Sequence, residues 1–284
     1  DTFYAVAKRT AGTLTDRQLA DYEQNACPTC GSCSGMFTAN SMNCLGEALG
    51  LALPGSGTAL ATSPVRKRLY EQAARRAVTM ARQWAKADCS AEYPFLPGNL
   101  YTVAAFRNAM ALDMAMGGST NTVLHILAIA HEAGVKFTLK QIDALSRKVP
   151  NICRVAPSST PEGRIYHIQD IHRAGGIHTI LGQLLRDKPG LLDTDVMTVT
   201  GKTLGQNIRA YSLRNGRASA ELRELIDVGC TPTGRSVAQV AADLASGPQV
   251  KAPKREKTSA DDGFDAADVI RTAGDISGPA APVI

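Results

Sequence analysis

Aromatic residues are scarce in this chain: Phe, Trp and Tyr make up 5% of its 284 positions, with a single Trp. Neither sign of charge dominates, since 31 Lys and Arg against 26 Asp and Glu leave a formal +5. The longest basic runs are 66–68 (RKR) and the interrupted 254–257 (KREK). A nucleic-acid interface concentrates positive charge on one face and adds aromatic platforms for the bases, so no nucleic-acid partner is expected. No apolar run approaches the roughly 18 residues that a bilayer crossing requires, and no membrane association is expected. The 25 Gly and 14 Pro follow no Gly-X-Y period, which excludes a collagenous chain. With 44% hydrophobic and 20% charged residues, disorder over the whole length is excluded as well. The length suits at most about two domains. The opening Asp1-Thr2-Phe3-Tyr4 has neither a start Met nor a signal-peptide layout, and reads as beginning inside a longer protein.

Cysteine, at seven residues, is too sparse for a disulfide scaffold. Seven is an odd number, and a secreted disulfide scaffold would be shorter and richer in Cys. Three of the seven, Cys27, Cys30 and Cys33, follow at three-residue spacing, while Cys44, Cys89, Cys153 and Cys230 are scattered. This usage points to a reducing compartment, the cytoplasm in a bacterium, with thiols kept for metal or redox chemistry.

Periodicity and caps place most elements on helices. Residues 1–24 read as amphipathic helix, with Thr15 as N-cap of its second part. The spacing of Met42, Leu45, Leu49 and Leu53 predicts a helix over 38–51. Another runs over 64–87 behind Ser63, with Leu69, Ala73, Ala77, Met80 and Trp84 as its buried stripe and a basic opposite face in solvent. Further helices are expected at 102–114, at 123–133 (apolar on most sides, hence buried) and at 139–147 behind Thr138. Residues 151–156 (NICRVA) and 195–200 (DVMTVT) read as short buried strands. Strands separated by helices give an α/β class, a helix-rich layered domain over 1–245. Residues 246–284 are polar and rich in Pro and Gly, which predicts a flexible tail or linker.

The segment Cys27-Pro-Thr-Cys30-Gly-Ser-Cys33-Ser-Gly-Met36 carries the strongest chemical signal. A Gly-containing loop ending just before a helix presents sulfur where the helix N-terminus favours anions. Several readings remain open from the residues alone. A structural zinc site lacks a second Cys or His pair. A ferredoxin-type site lacks its following Cys-Pro. A redox pair lacks a preceding strand. Small packed residues without chemistry, or a cluster ligated partly from elsewhere, also suit the pattern.

The stretch 26–58 (ACPTCGSCSGMFTANSMNCLGEALGLALPGSGT) closely resembles the iron–sulfur loop of the dihydroxy-acid dehydratases, which share a family with sugar-acid and 6-phosphogluconate dehydratases. Residues 110–134 (MALDMAMGGSTNTVLHILAIAHEAG) and 145–177 are similar to the same family, and the likeness spans roughly 1–210. PTCGSC followed by GMFTANSMN looks like the branched-chain member. The resemblance implies the central part of the dehydratase N-terminal domain, with the C-terminal β-rich domain missing. It implies a hydro-lyase of valine, isoleucine and leucine synthesis that converts 2,3-dihydroxy-3-methyl acids to 2-keto acids. It further implies a homodimer, an iron–sulfur cluster (2Fe-2S or 4Fe-4S) as Lewis acid toward the departing hydroxyl, and Mg²⁺ on the substrate's carboxylate end.

Carried onto this chain, the resemblance makes Cys33 a cluster ligand and assigns no role to Cys27 or Cys30, neighbours at best. The family's Cys-Asp-Lys region, with its other cluster thiols and Mg²⁺ ligands, has no counterpart here, and neither has the serine base of the C-terminal domain. No catalytic residue is therefore placed within the chain, which is expected to be inactive alone. In the second motif, Ser119, Thr120 and Asn121 are candidate substrate-binding residues, because a helix start offers N–H groups to a carboxylate; a plain N-cap at Ser119 or Thr120 is the structural alternative. His125 and His131 fall on different faces of one helix, and Asp170 and His172 could pair in a turn. A sugar-acid dehydratase and a non-catalytic metal-binding module are the alternative functions.

Overall fold

The computed structural model describes residues 2–26, 31, 33–161, 163–215, 220–227 and 264–275. Cys27, Cys30 and Cys230 lie outside the described residues. The chain divides into two units, Asp1–Ser32 and Cys33–Ile284.

The first unit holds α1 (Thr2–Thr10) and α2 (Asp16–Asn25). The expected cap is present: Thr15 accepts from Gln18 N while the Gln18 side chain accepts from Thr15 N. This reciprocal pairing satisfies two of the donors that a helix start leaves open.

The second unit is built around α6 (Val103–Met116), which is buried on nearly every side from Ala105 to Met116. Its weak amphipathicity follows, since a helix surrounded by others needs no polar face. Packed against it are α3 (Thr38–Ala48), α7 (Asn121–Glu132), α8 (Leu139–Ser146) and α10 (Gly176–Asp187). The other α-helices among the described residues are α4 (Pro64–Lys86), α5 (Pro97–Leu100), α9 (Ile168–Arg173), α11 (Leu204–Tyr211), α12 (Ala220–Asp227) and α13 (Ala266–Val269). Thr102 caps α6 and Thr138 caps α8 through its oxygen.

The core includes an acid. Glu47, buried near the end of α3, accepts from Gly55 N at 3.0 Å and Gly57 N at 2.7 Å, and its Oε2 lies 3.2 Å from His178 Nδ1. One carboxylate thus supplies acceptors to a glycine turn that would otherwise bury two unpaired donors.

Three expectations need correction. The helix-rich part of the α/β assignment stands, but no sheet forms among the described residues. In the expected strand 151–156, Ile152 N and Cys153 N donate to Ala115 O at the end of α6, and only Cys153 forms a β-bridge, to Ile270. In 195–200 the chain folds into a local turn, with Met197 bridged to Thr203 and Gly201 at φ +81°. An extended run becomes a strand only with a neighbour to complete its hydrogen bonds, and helix ends serve here instead. The second correction concerns α4: Val65 and Leu69 are buried, but Ala73 and Ala77 are exposed and Met80 and Trp84 only half-buried. Third, α7 is not enclosed; Thr122, Ile126 and Ala130 form its buried stripe, and Leu124 is 65% exposed.

Within the stretch expected to be a tail, Phe264, Ala266, Val269 and Ile270 are buried in the main core. The Asp268 carboxylate pairs with Arg154 and accepts from Tyr166 Oη at 3.1 Å. Residues 246–263 and 276–284 lie outside the described residues. Among the described residues no helix is long and apolar enough to cross a membrane.

Candidate functional site

Phe37 is the N-cap of α3 and offers no side-chain oxygen to the helix, so the first-turn N–H groups seek other acceptors. Asn40 N finds the sulfur of Cys33, at 3.4 Å. The Asn40 side chain reaches back to donate to Cys33 O and, at 2.9 Å, to Gly35 O. Cys33, half-buried, is therefore held over the first turn of α3, at the positive end of the helix dipole.

The loop carrying this thiol is pinned from the third sequence motif. Met36 N donates to Ala156 O at 2.7 Å, and Ile168 N donates to Ser34 O at 2.8 Å. Approach is so close at Gly35 that a Cβ there would lie 2.7 Å from Ala156 O. Only glycine lets the backbones meet at this distance.

The second motif arrives on the same helix turn. The α6 helix closes on Gly117 in the left-handed conformation (φ +69°), and Gly118 N returns to Asp113 O at 2.8 Å. Ser119 N then donates to Ser41 Oγ at 3.1 Å, and Ser119 Oγ lies 3.3 Å from Thr38 Oγ1. Asn121 Nδ2 donates to the same Thr38 Oγ1 at 2.8 Å. Ser119 and Asn121 are thus brought to the turn that supports Cys33. Thr120 is not: it sits at the N-cap of α7, exposed, with no side-chain cap bond. The capping alternative holds in modified form, because Asn121 N donates to Ser119 Oγ at 3.3 Å.

Asp113 is the residue that the sequence reading passed over. It is 3% exposed beneath this turn, and Thr122 Oγ1 donates to its Oδ2 at 2.7 Å. Its other oxygen is buried without a hydrogen-bond partner and lies where a Cβ on Gly118 would collide with it. Burial pushes its carboxyl up to about 7, against the opposing pull of the Thr122 bond. The available signal was an acid inside an apolar run just before two glycines.

The other candidates have structural surroundings. Burial pushes the Cys44 thiol up and the Cys153 thiol up to about 12, which disfavours the thiolate form a metal needs. Asp170 and His172 do not pair. Asp170 accepts from His167 N at 2.8 Å and faces Arg173 at 3.3 Å. His172 Nδ1 lies 2.8 Å from Thr58 Oγ1, with its pKa lowered by burial. His125 and His131 are exposed on α7.

Among the described residues no three His, Cys, Asp or Glu side chains gather to hold a metal ion. The supported, accessible Cys33 thiol fits one ligand position of an iron–sulfur centre. No described set fits Mg²⁺, which favours several oxygen ligands.

The three motifs converge on one helix turn around the Cys33 thiol. Residues 1–207 match the family model described as dihydroxy-acid/6-phosphogluconate dehydratase N-terminal, which covers most of the chain, and the chain belongs to that dehydratase family.

Proposed function

We propose that the chain supplies one cluster ligand, Cys33, and a substrate-facing turn, Ser119 to Asn121, to a hydro-lyase acting on 2,3-dihydroxy-3-methyl carboxylic acids. The observation that carries this reading is the meeting of Cys33, Ser119 and Asn121 on the first turn of α3 through Asn40 and Thr38. The branched-chain substrate class rests on the PTCGSC and GMFTANSMN segments. By family likeness the protein acts in the cytoplasm as a homodimer, in branched-chain amino-acid biosynthesis, with Mg²⁺ held by residues other than those described.

Loss of water from a diol acid faces a weakly acidic C–H and a poor leaving group. When bound, an iron–sulfur cluster supplies Lewis acidity that eases departure of a hydroxyl. The chain's own groups do the positioning. Asn40 N–H donates to the Cys33 sulfur and fixes its place above the helix turn. The exposed amide of Asn121 and the half-buried hydroxyl of Ser119, already oriented by Thr38, offer donors to a carboxylate or hydroxyl of the substrate. Their fixed placement lowers the entropy lost on binding.

The test is anaerobic reconstitution with iron and sulfide of the protein expressed from its native gene, followed by a substrate panel. Keto-acid formation from 2,3-dihydroxy-3-methylbutanoate is expected, with bound iron and turnover both lost in Cys33→Ser. Full iron retention in Cys33→Ser would overturn the ligand assignment. Turnover confined to a sugar acid such as gluconate would instead establish the alternative substrate class.

A further inference from the structure

Opposite the Cys33 end of α3, the second unit holds a cavity of about 330 Å³. Arg68, Gln72 and Arg76 border it from α4, and their four-residue spacing sets them in one row along that helix. Lys202 and Thr200 face them from the turn before α11. Among the described lining residues Arg68, Arg76 and Lys202 are cationic and none is acidic. Arg68 is already engaged, so the charge on offer is that of Arg76 and Lys202, and Val65 and Leu69 form a buried apolar floor. A solvated basic face, the expectation for this side of α4, would need no such enclosure.

Arg76 is preset rather than mobile. Its Nε donates to Val199 O, its guanidinium carbon lies 5.1 Å from the Phe95 ring centroid, and Gly201 passes close against its terminal nitrogen. A guanidinium fixed through one N–H and one flat face keeps its outer N–H edge for a planar or tetrahedral oxyanion. Lys202 is exposed and adds a mobile charge across the opening.

We propose that this cavity binds the phosphate group of a small molecule, free or esterified, at a site separate from the dehydratase centre. The separation follows from α3: Cys33 precedes its first turn, while Leu53 and Pro54, which border the cavity, follow its last. Eleven helical residues span about 16 Å. The apolar floor suits a ligand with a short carbon skeleton beside its charged end.

The full chain would be titrated calorimetrically with pyrophosphate, inorganic phosphate and glucose 6-phosphate at constant ionic strength. Saturable binding is expected, weakened at least about tenfold in Lys202→Gln and in Arg76→Gln, the loss of one charge-assisted contact. Lys86→Gln, exposed at the far end of α4, removes the same charge and should leave the affinity unchanged. Tighter binding of the sugar phosphate than of phosphate would assign an esterified ligand, and the reverse a free one. The proposal is overturned by an absence of saturable heat. Equal weakening by Lys86→Gln would overturn it too. The readout is independent of cluster content and of catalysis.

Discussion

Asn40 and Cys33 are joined twice, by a backbone N–H placed 3.4 Å from the sulfur and by a side-chain amide bound to the cysteine's own carbonyl. A helix turn and the loop before it thus become one rigid unit. Asn40→Ala removes the donors to Cys33 O and Gly35 O, and should cost about 1–3 kcal/mol of stability. Urea unfolding measures that loss. Alkylation of Cys33 by iodoacetamide should accelerate in the same variant, as the loop loosens.

Gly35→Ala is expected to be disruptive despite its small size. The added methyl meets a backbone carbonyl, Ala156 O, at 2.7 Å, and a backbone cannot swing aside as a side-chain end does. A destabilisation of about 1–3 kcal/mol is the ordinary scale for such overpacking. Thermal unfolding of the variant against wild type is the check, and Gly12→Ala, which meets nothing within 4 Å but lies at φ +73°, separates clash from backbone strain.

Asp113 gives stability a pH dependence whose sign is opposite to that of an ion-paired carboxylate. Its folded value near 7 lies above the ordinary 3.8, so between these values the folded chain holds a proton that the unfolded chain has released. Stability from this group is full below about pH 4, declines as pH rises, and levels off above about pH 7, with a total loss of about 4 kcal/mol. Asp113→Asn should flatten that slope in denaturant titrations at successive pH values. An unchanged slope would show that the carboxyl ionises as easily in the fold as outside it.

Glu47→Ala removes the acceptor shared by Gly55 N, Gly57 N and His178. Each buried donor left without an acceptor costs about 1–3 kcal/mol, because Gly55 N and Gly57 N stay buried. Glu47→Gln keeps one carbonyl oxygen for the turn and should lose less. Chemical unfolding midpoints of the two variants give the order directly.

What was legible in the sequence was local. Thr15, Ser63 and Thr138 announce their helices because a cap is decided by residues a few positions apart. The convergence of Cys33 with Ser119 was not legible from spacing, as nothing local joins positions so distant in the chain; family likeness alone linked the two segments. Residues 151–156 show the opposite failure: their composition suits a strand, but hydrogen bonding to Ala115 O and Val269 O makes them a strap across helix ends. Apolar composition misjudged α7 as well, for Leu124 faces outward while its neighbour Ile126 is wholly buried. Asp113 and Glu47 escaped notice because a charged residue in an apolar helix has meaning only once its glycine-turn partners are in place.

The family match stops at residue 207, yet Val269 and Ile270 are wholly buried and Asp268 is clasped by Arg154 and Tyr166. Anyone cutting an expression clone at the edge of the recognisable homology would strip a plug from the hydrophobic interior and strand a guanidinium opposite nothing. Ancestry and cooperativity draw their borders in different places on this polypeptide, and only the second of those borders decides what remains soluble in the tube.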